Sequence, residues 1–225
     1  MQTRHHADDS RNPVNDAATE SLTLTDVSIR LAGHELLQVN TRIAPGEVLS
    51  VMGPSGSGKS TLLAFVAGFL DSAFDARGEV RLGKQDLLAL PAEQRGIGLL
   101  FQDPLLFPHL SVAGNLRFGL PRHVPDKHRQ VAQALEQVGL AGFEHRDPAT
   151  LSGGQQARVA LMRLLLSQPR AVLLDEPFSK LDTALRQEMR TLVFGQLREA
   201  GLPTLLVTHD EADAAAAGGP IIALG

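Results

Sequence analysis

There is no cysteine among the 225 residues, so disulfides, thiolate zinc sites and thiol catalysis are excluded together, and the chain suits a reducing compartment. Nor is there a surplus of positive charge. With 21 basic against 25 acidic residues the balance is −4, and Lys and Arg are scattered rather than striped, which argues against nucleic acid as a partner. No apolar run reaches the roughly 18 residues that a membrane-crossing helix needs. Leu62 to Leu70 is too short, and Ala212 to Gly225 is broken by Asp213, glycines and Pro220. Residues 1–20 lack both the apolar core of a secretory signal and the Arg-rich pattern of a transit peptide; polar throughout, they read as a disordered tail. Internal repeats are absent too. What remains is an ordinary globular composition, 43% hydrophobic and 20% charged, which predicts one composite domain over residues 21–225.

Periodicity supplies the outline. Leu22, Leu24, Val27, Ile29 and Leu31 alternate as in a half-buried antiparallel strand, with a turn at Ala32-Gly33-His34. Val48–Met52, Ala171–Asp175 and Thr204–Thr208 are short continuous apolar runs, the pattern of strands buried on both faces, and helical stretches separate them. One helix is expected from Lys59 to about Phe69, and another carries Leu185, Met189, Leu192 and Val193 on one face. Strands alternating with helices predict a parallel sheet. Between these strands, residues 103–167 show helical spacing at Val131, Leu135 and Val138 among several prolines, and read as a helical insertion.

Gly53-Pro54-Ser55-Gly56-Ser57-Gly58-Lys59-Ser60, followed by Thr61, fits G-x-x-x-x-G-K-[ST] and lies between a buried strand and a helix, the context that phosphate-binding loop requires. Glycines let successive N–H groups curve around phosphate oxygens, the helix start adds a positive dipole end, Lys59 neutralises phosphate charge and the Ser60 hydroxyl can ligate Mg²⁺. Such a loop serves kinases, GTPases, helicases and transporter ATPases alike. Leu151-Ser152-Gly153-Gly154-Gln155 narrows the choice. Ser152 and Gln155 form an S-x-x-Q capping box, yet two consecutive glycines weaken a helix while leaving bare N–H groups at its start, an arrangement suited to gripping an anion.

With this pentapeptide the chain resembles the ABC ATPase family, across essentially all of Leu22 to Ile222. The resemblance implies an α/β fold with a P-loop NTPase (RecA-like) core and parallel sheet, an N-terminal antiparallel β subdomain and an inserted helical subdomain. It implies ATP and Mg²⁺ as cofactors and a homodimer in which Ser152, Gly153, Gly154 and Gln155 of one copy meet, in trans, the nucleotide held by the Gly53–Thr61 loop of the other. Asp175, ending a buried strand, would support Mg²⁺ beside Ser60, and Glu176 would polarise the attacking water. Gln102 matches the Q-loop glutamine that reaches both metal and water. His209 matches the switch histidine, and Asp182, in Ser179-Lys180-Leu181-Asp182, the D-loop that couples the two sites of the dimer. The family further implies integral-membrane permease subunits as partners, a solute-binding protein acting indirectly, and a place on the cytoplasmic face of the inner membrane.

Two departures matter. ABC ATPases commonly stack an aromatic residue, usually tyrosine, on adenine near the position of Leu31, but this chain has no Tyr or Trp and no Phe before Phe65. Aliphatic contact from Leu31 or Leu36 is expected instead, with weak discrimination of ATP from GTP. Within these 225 residues nothing after Ile221–Leu224 supplies the regulatory β domain of some import ATPases, so control by such a domain is not expected. The stretch Phe101–Val112 resembles importers of sulfate, thiamine, iron and polyamines, the cassette-only length being most like the thiamine type. Two other functions stay open at the level of sequence: a soluble ABC ATPase with a non-transport target, and a P-loop kinase of a small metabolite.

Overall fold

A computed structural model describes residues 20–224. The polar stretch read as a tail lies outside the described residues except for Glu20, whose carboxylate accepts a hydrogen bond from Arg170 Nε at 3.0 Å. Two ten-residue strands, β1 (Leu22–Leu31) and β2 (His34–Ile43), form an antiparallel hairpin. Alternation sends Leu22, Leu24, Val27 and Ile29 of β1 and Leu37, Val39 and Ile43 of β2 to one buried face. β3 (Val48–Met52) leaves this layer for a second sheet and runs into α1 (Lys59–Ala67). That helix ends two residues before the expected Phe69, because Gly68 turns left-handed at φ 95° and its N–H closes on Ala64 and Phe65 carbonyls. The chain then returns to the first layer with β4 (Phe74–Leu82) and the short β5 (Gln85–Asp86), completing an antiparallel sheet in the order β2-β1-β4-β5.

The second sheet adds β6 (Ile97–Leu100), β7 (Ala171–Asp175), β8 (Thr204–Thr208) and β9 (Ile221–Ala223) to β3, in the order β6-β7-β8-β3-β9, with every neighbouring pair parallel. Leu49, Val51, Leu173, Leu205 and Val207 pack on one face against Leu62, Leu63 and Val66 of α1 and the inner face of the antiparallel sheet. Val48, Val172, Leu174 and Leu206 occupy the opposite face. Both faces being covered is why these strands read as unbroken apolar runs. Truncating a side chain such as Leu205 or Leu206 to alanine is worth about 2–5 kcal/mol at sites so fully enclosed.

Between β6 and β7 stand α2 (Val112–Gly119), α3 (Lys127–Gln137) and α4 (Gly153–Leu166), which share a core of Val112, Leu116, Val131, Leu135, Val159 and Met162 separate from the sheet. The other face of α4 joins the second sheet through Ala160, Leu161 and Leu164, beside α5 (Thr183–Glu199), which contributes Met189, Val193, Phe194 and Leu197. α6 (Glu211–Ala217) follows β8. Among the described residues no helix is long and apolar enough to cross a membrane.

Candidate active site

Strand order decides what meets. β6, β7, β8 and β3 are consecutive neighbours with their C-terminal ends nearly level: Leu100 pairs with Leu174, Asp175 with Val207 and Met52 with Thr208. Gln102, Asp175 with Glu176, His209 and Gly53 therefore stand in that order along one edge, on strands about 5 Å apart. Ligands of open parallel sheets bind outside such an edge.

At its last position the loop from Gly53 to Gly58 admits only glycine. Gly58 has φ 85°, and a Cβ there would lie 2.9 Å from a Leu37 methyl and 3.4 Å from Leu36 Cβ, so the hairpin packs directly under the loop. Pro54, Ser55 and Gly56 are exposed at the tip, while Lys59 is buried, 6% exposed. Its ammonium donates to the carbonyls of Gly53 at 2.7 Å and Pro54 at 2.8 Å, leaving one of its three donors for a ligand. Ser57 Oγ is buried without a partner in the same loop. Such a group is costly to leave unpaired and suits a site completed by polar ligand atoms.

Ser60 Oγ donates to Asp175 Oδ1 at 3.1 Å, joining the first turn of α1 to the end of β7. A hydroxyl and a carboxylate are hard oxygen donors of the kind Mg²⁺ takes alongside waters and phosphate, so this pair fits the metal. Burial pushes the Asp175 pKa up, the Ser60 hydrogen bond pulls it down, the Glu176 charge adds to the rise and Lys59 opposes it; the balance lies above the ordinary carboxylate value. Positive charge arriving next to Asp175 would relieve that penalty.

Glu176 adopts φ 44°, a left-handed conformation uncommon outside glycine and found preferentially at functional sites. It is held there by its N–H donating to Val207 O at 2.9 Å and by its carbonyl accepting from Ser179 N at 3.2 Å and Ser179 Oγ at 2.8 Å. Its carboxylate Oε1 lies 3.1 Å from Nδ1 of His209, whose side chain is 61% exposed. Beside this pair sits a charged network that sequence reasoning missed. Asp210 Oδ2 accepts from Arg186 Nη1 and Arg190 Nη2, each at 3.0 Å, and buried Asp213 accepts from Arg190 Nε at 2.6 Å and Thr208 Oγ at 2.8 Å. Burial works against the Asp210 carboxylate, but the Ala212 N–H and both arginines outweigh it and hold its pKa below the usual value. Arginines four apart on α5 and aspartates three apart at the N-cap and first turn of α6 were the available signal.

Gln102 is exposed and lines a cavity of about 200 Å³ together with Gly153, Pro177 and Lys180. The segment after it is clamped from α4: Arg163 Nη1 donates to Leu105 O at 2.9 Å and Nη2 to Pro104 O at 3.1 Å. The buried Asn115 amide accepts from Phe107 N at 2.8 Å and donates to Phe107 O and Ser111 O, each at 3.1 Å. Phe101, Leu105 and Phe118 are left exposed around this segment. Lys180 is ion-paired with Asp103.

Ser152 caps α4, its Oγ accepting from Gln155 N at 3.3 Å while its own N–H donates to Gln155 Oε1 at 3.0 Å. The two glycines differ. Nothing lies near a Cβ at Gly153, whereas one at Gly154 would meet Leu185 Cδ1 at 2.6 Å, so Gly154 also serves the packing of α4 on α5. Asp182 caps α5 by accepting from Leu185 N at 3.0 Å. Among the described residues no hydrogen bond joins Ser152–Gln155 to the loop of residues 53–61.

A family model described as ABC transporter matches residues 36–179. The chain is 50% identical over 195 residues to YnjD of Escherichia coli K12, named as an uncharacterized ABC transporter ATP-binding protein, with 85% of this chain and 90% of that protein covered. It is 44% identical over 196 residues to a thiamine import ATP-binding protein of a Jannaschia species, covering 86% and 84%. Against an Fe(3+) ions import ATP-binding protein of Pseudomonas fluorescens the identity is 49% over 181 residues, covering 78% of this chain but half of the longer relative, 50%.

Proposed function

This chain belongs to the ABC transporter family, and from that premise we propose that it is the ATP-hydrolysing subunit of an importer, energising passage of a small solute through a separate integral-membrane permease. The observation that carries the reading is the level row of strand ends bearing Gln102, Asp175-Glu176, His209 and the Gly53–Thr61 loop. In that row the loop amides and Lys59 hold the β- and γ-phosphates. Glu176 accepts a proton from the attacking water as its oxygen bonds the γ-phosphorus and the bond to the β–γ bridging oxygen breaks, giving ADP and inorganic phosphate. His209 donates to the γ-phosphate, and Gln102 orients the water. When bound at Ser60 and Asp175, Mg²⁺ neutralises charge building on the phosphates.

The start of α4 supports a homodimer. Its capping residues satisfy each other and leave Gly153 bare while Gly154 is buried against Leu185, so the helix start presented through Ser152, Gly153 and Gln155, with Gly154 packed behind them, is the surface offered to the nucleotide of a second copy, with Asp182 between the two sites. ATP binding closes the pair and hydrolysis reopens it, a cycle driven by tighter binding of ATP to the closed state. Exposed Phe101 and Leu105, beside the segment that Arg163 clamps to α4, and exposed Phe118 of α2 support a docking surface for a cytoplasmic element of the permease; on this reading the subunit works at the inner face of the membrane, and any solute-binding protein is reached only through the permease.

The test is retention by a tagged copy in detergent. Recovery of a multispanning membrane protein that stimulates phosphate release from ATP supports the proposal. Recovery of soluble partners alone, or transfer of the γ-phosphate to a metabolite rather than to water, overturns it. Competition with GTP probes the base site: Leu31 is exposed and Leu36 half-buried, β4 sets half-buried Phe74 opposite Leu31, and with neither Tyr nor Trp in the chain ATP is expected to win by no more than about threefold.

A further inference from the structure

We infer that Arg186 is a positioning residue that ties the placement of the Ser179–Asp182 loop to that of His209; this rests on the ATP-hydrolysing reading above. Its guanidinium is divided between the two. Nη2 donates to Ser179 O at 3.2 Å and Leu181 O at 3.0 Å, and Nη1 donates to Asp210 Oδ2 at 3.0 Å. Asp210 directly follows His209, His209 Nδ1 stands 3.1 Å from Glu176 Oε1, and Ser179 bonds the Glu176 carbonyl through both N–H and hydroxyl. The contacts close a ring: loop, Arg186, Asp210, His209, Glu176, and back to the loop. No member shifts without the others re-forming their bonds.

Arg190, one turn further along α5, touches the same Asp210 oxygen but is fastened elsewhere. Its Nε donates to Asp213 Oδ1 at 2.6 Å, Asp213 is 3% exposed, and Thr208 Oγ locks it from β8 at 2.8 Å. Arg190 is thus the fixed anchor of the network. Arg186 is its movable arm, with no buried carboxylate of its own and with Nε buried and unpartnered. An unpaired buried donor is costly in a single static arrangement and is accommodated where the side chain has a second one.

The pairing of His209 with Glu176 occupies the carboxylate that must receive the proton from water. Displacing the Ser179–Asp182 loop, as contact with a second copy would, draws Arg186 and Asp210 along and moves the imidazole relative to Glu176. Hydrolysis then depends on the state of the loop, not on nucleotide binding alone.

Single-turnover hydrolysis by the full chain tests this in a double-variant cycle: wild type, Arg186→Lys, His209→Gln and the pair together, each with its nucleotide affinity and melting temperature. Lysine keeps the charge but not the planar fork that serves both loops. Arg186→Lys is expected to lower the rate about tenfold, the cost of a small misplacement. Nucleotide affinity is expected to stay within about twofold, as for an interaction that acts only on the chemical step. In the His209→Gln background the lysine variant is expected to change nothing further, because its effect runs through the imidazole. Full turnover by Arg186→Lys, or losses that multiply in the double variant, overturn the inference while leaving the ATPase reading intact. A wild-type chain that does not hydrolyse ATP overturns both. Should the lysine variant not fold, Asp210→Asn takes its place with the same expectations, since the Asn oxygen retains the cap that Asp210 Oδ1 gives Ala212 N at 2.8 Å.

Discussion

At the rim of the parallel sheet four consecutive strand ends bring their polar residues into one row, where Lys59 bonds its own loop, Ser60 touches Asp175 and Glu176 touches His209. At the start of α4 the polar residues bond only each other, Gly153 faces open space, and among the described residues no hydrogen bond reaches across to the loop. The first region is assembled by folding alone. The second is satisfied locally and left with a bare face, the condition of a surface completed by another molecule. Substitutions that damage one region and spare the other put this contrast to the test.

The largest effect belongs to the rim. Glu176→Gln is expected to cut turnover by about 10²–10⁴-fold, the usual worth of a general base, while nucleotide still binds and an ATP-loaded dimer accumulates on a sizing column. Undiminished turnover removes Glu176 from the chemistry, and a variant that stays monomeric breaks the contrast itself. Lys59→Ala comes next, expected to weaken nucleotide binding about 10- to 100-fold by deleting charge-assisted hydrogen bonds, as read by fluorescence titration.

Smaller effects separate the two glycines. Gly154→Ala is expected to destabilise the monomer by about 1–3 kcal/mol, because its methyl meets Leu185, and to show as a lowered melting temperature. Gly153→Ala has room and is expected to leave the melt unchanged within about 1 kcal/mol while weakening ATP-dependent pairing. If both variants melt alike, packing does not distinguish them.

Smallest is Asp175→Asn. A raised carboxylate pKa means that the folded chain holds this proton more tightly than the unfolded one, so the associated stability is complete below the unfolded value and is lost as pH rises through the folded one. At neutral pH the charge therefore costs stability. The variant is expected to melt slightly higher than wild type in calorimetry at neutral pH, and a lower melt breaks this reading of the site.

Legibility in the sequence followed burial. β3, β7 and β8 could be read to the residue because both their faces are covered and nothing polar interrupts them. β4 escaped notice: in Phe74–Leu82 only Val80 and Leu82 are buried, and charged residues fill the solvent face, so its membership is set by pairing with β1, some fifty residues earlier. The loop, Asp175, Glu176 and His209 were legible because each sits at a strand end that periodicity had located. Arg186, Arg190, Asp210 and Asp213 were not, since contacts spanning 20–24 residues between two helices leave no local pattern beyond a spacing that many solvated helices share.

The hydrogen bonds from Lys59 to the carbonyls of Gly53 and Pro54 have a kinetic corollary. With its ammonium braced from within, the cradle is held in one shape by its own bonds, and little ordering entropy is expected to be lost on capture. Association is then expected to run near the pace of encounter, with the lifetime of the bound nucleotide carrying most of the affinity, as stopped-flow mixing would read.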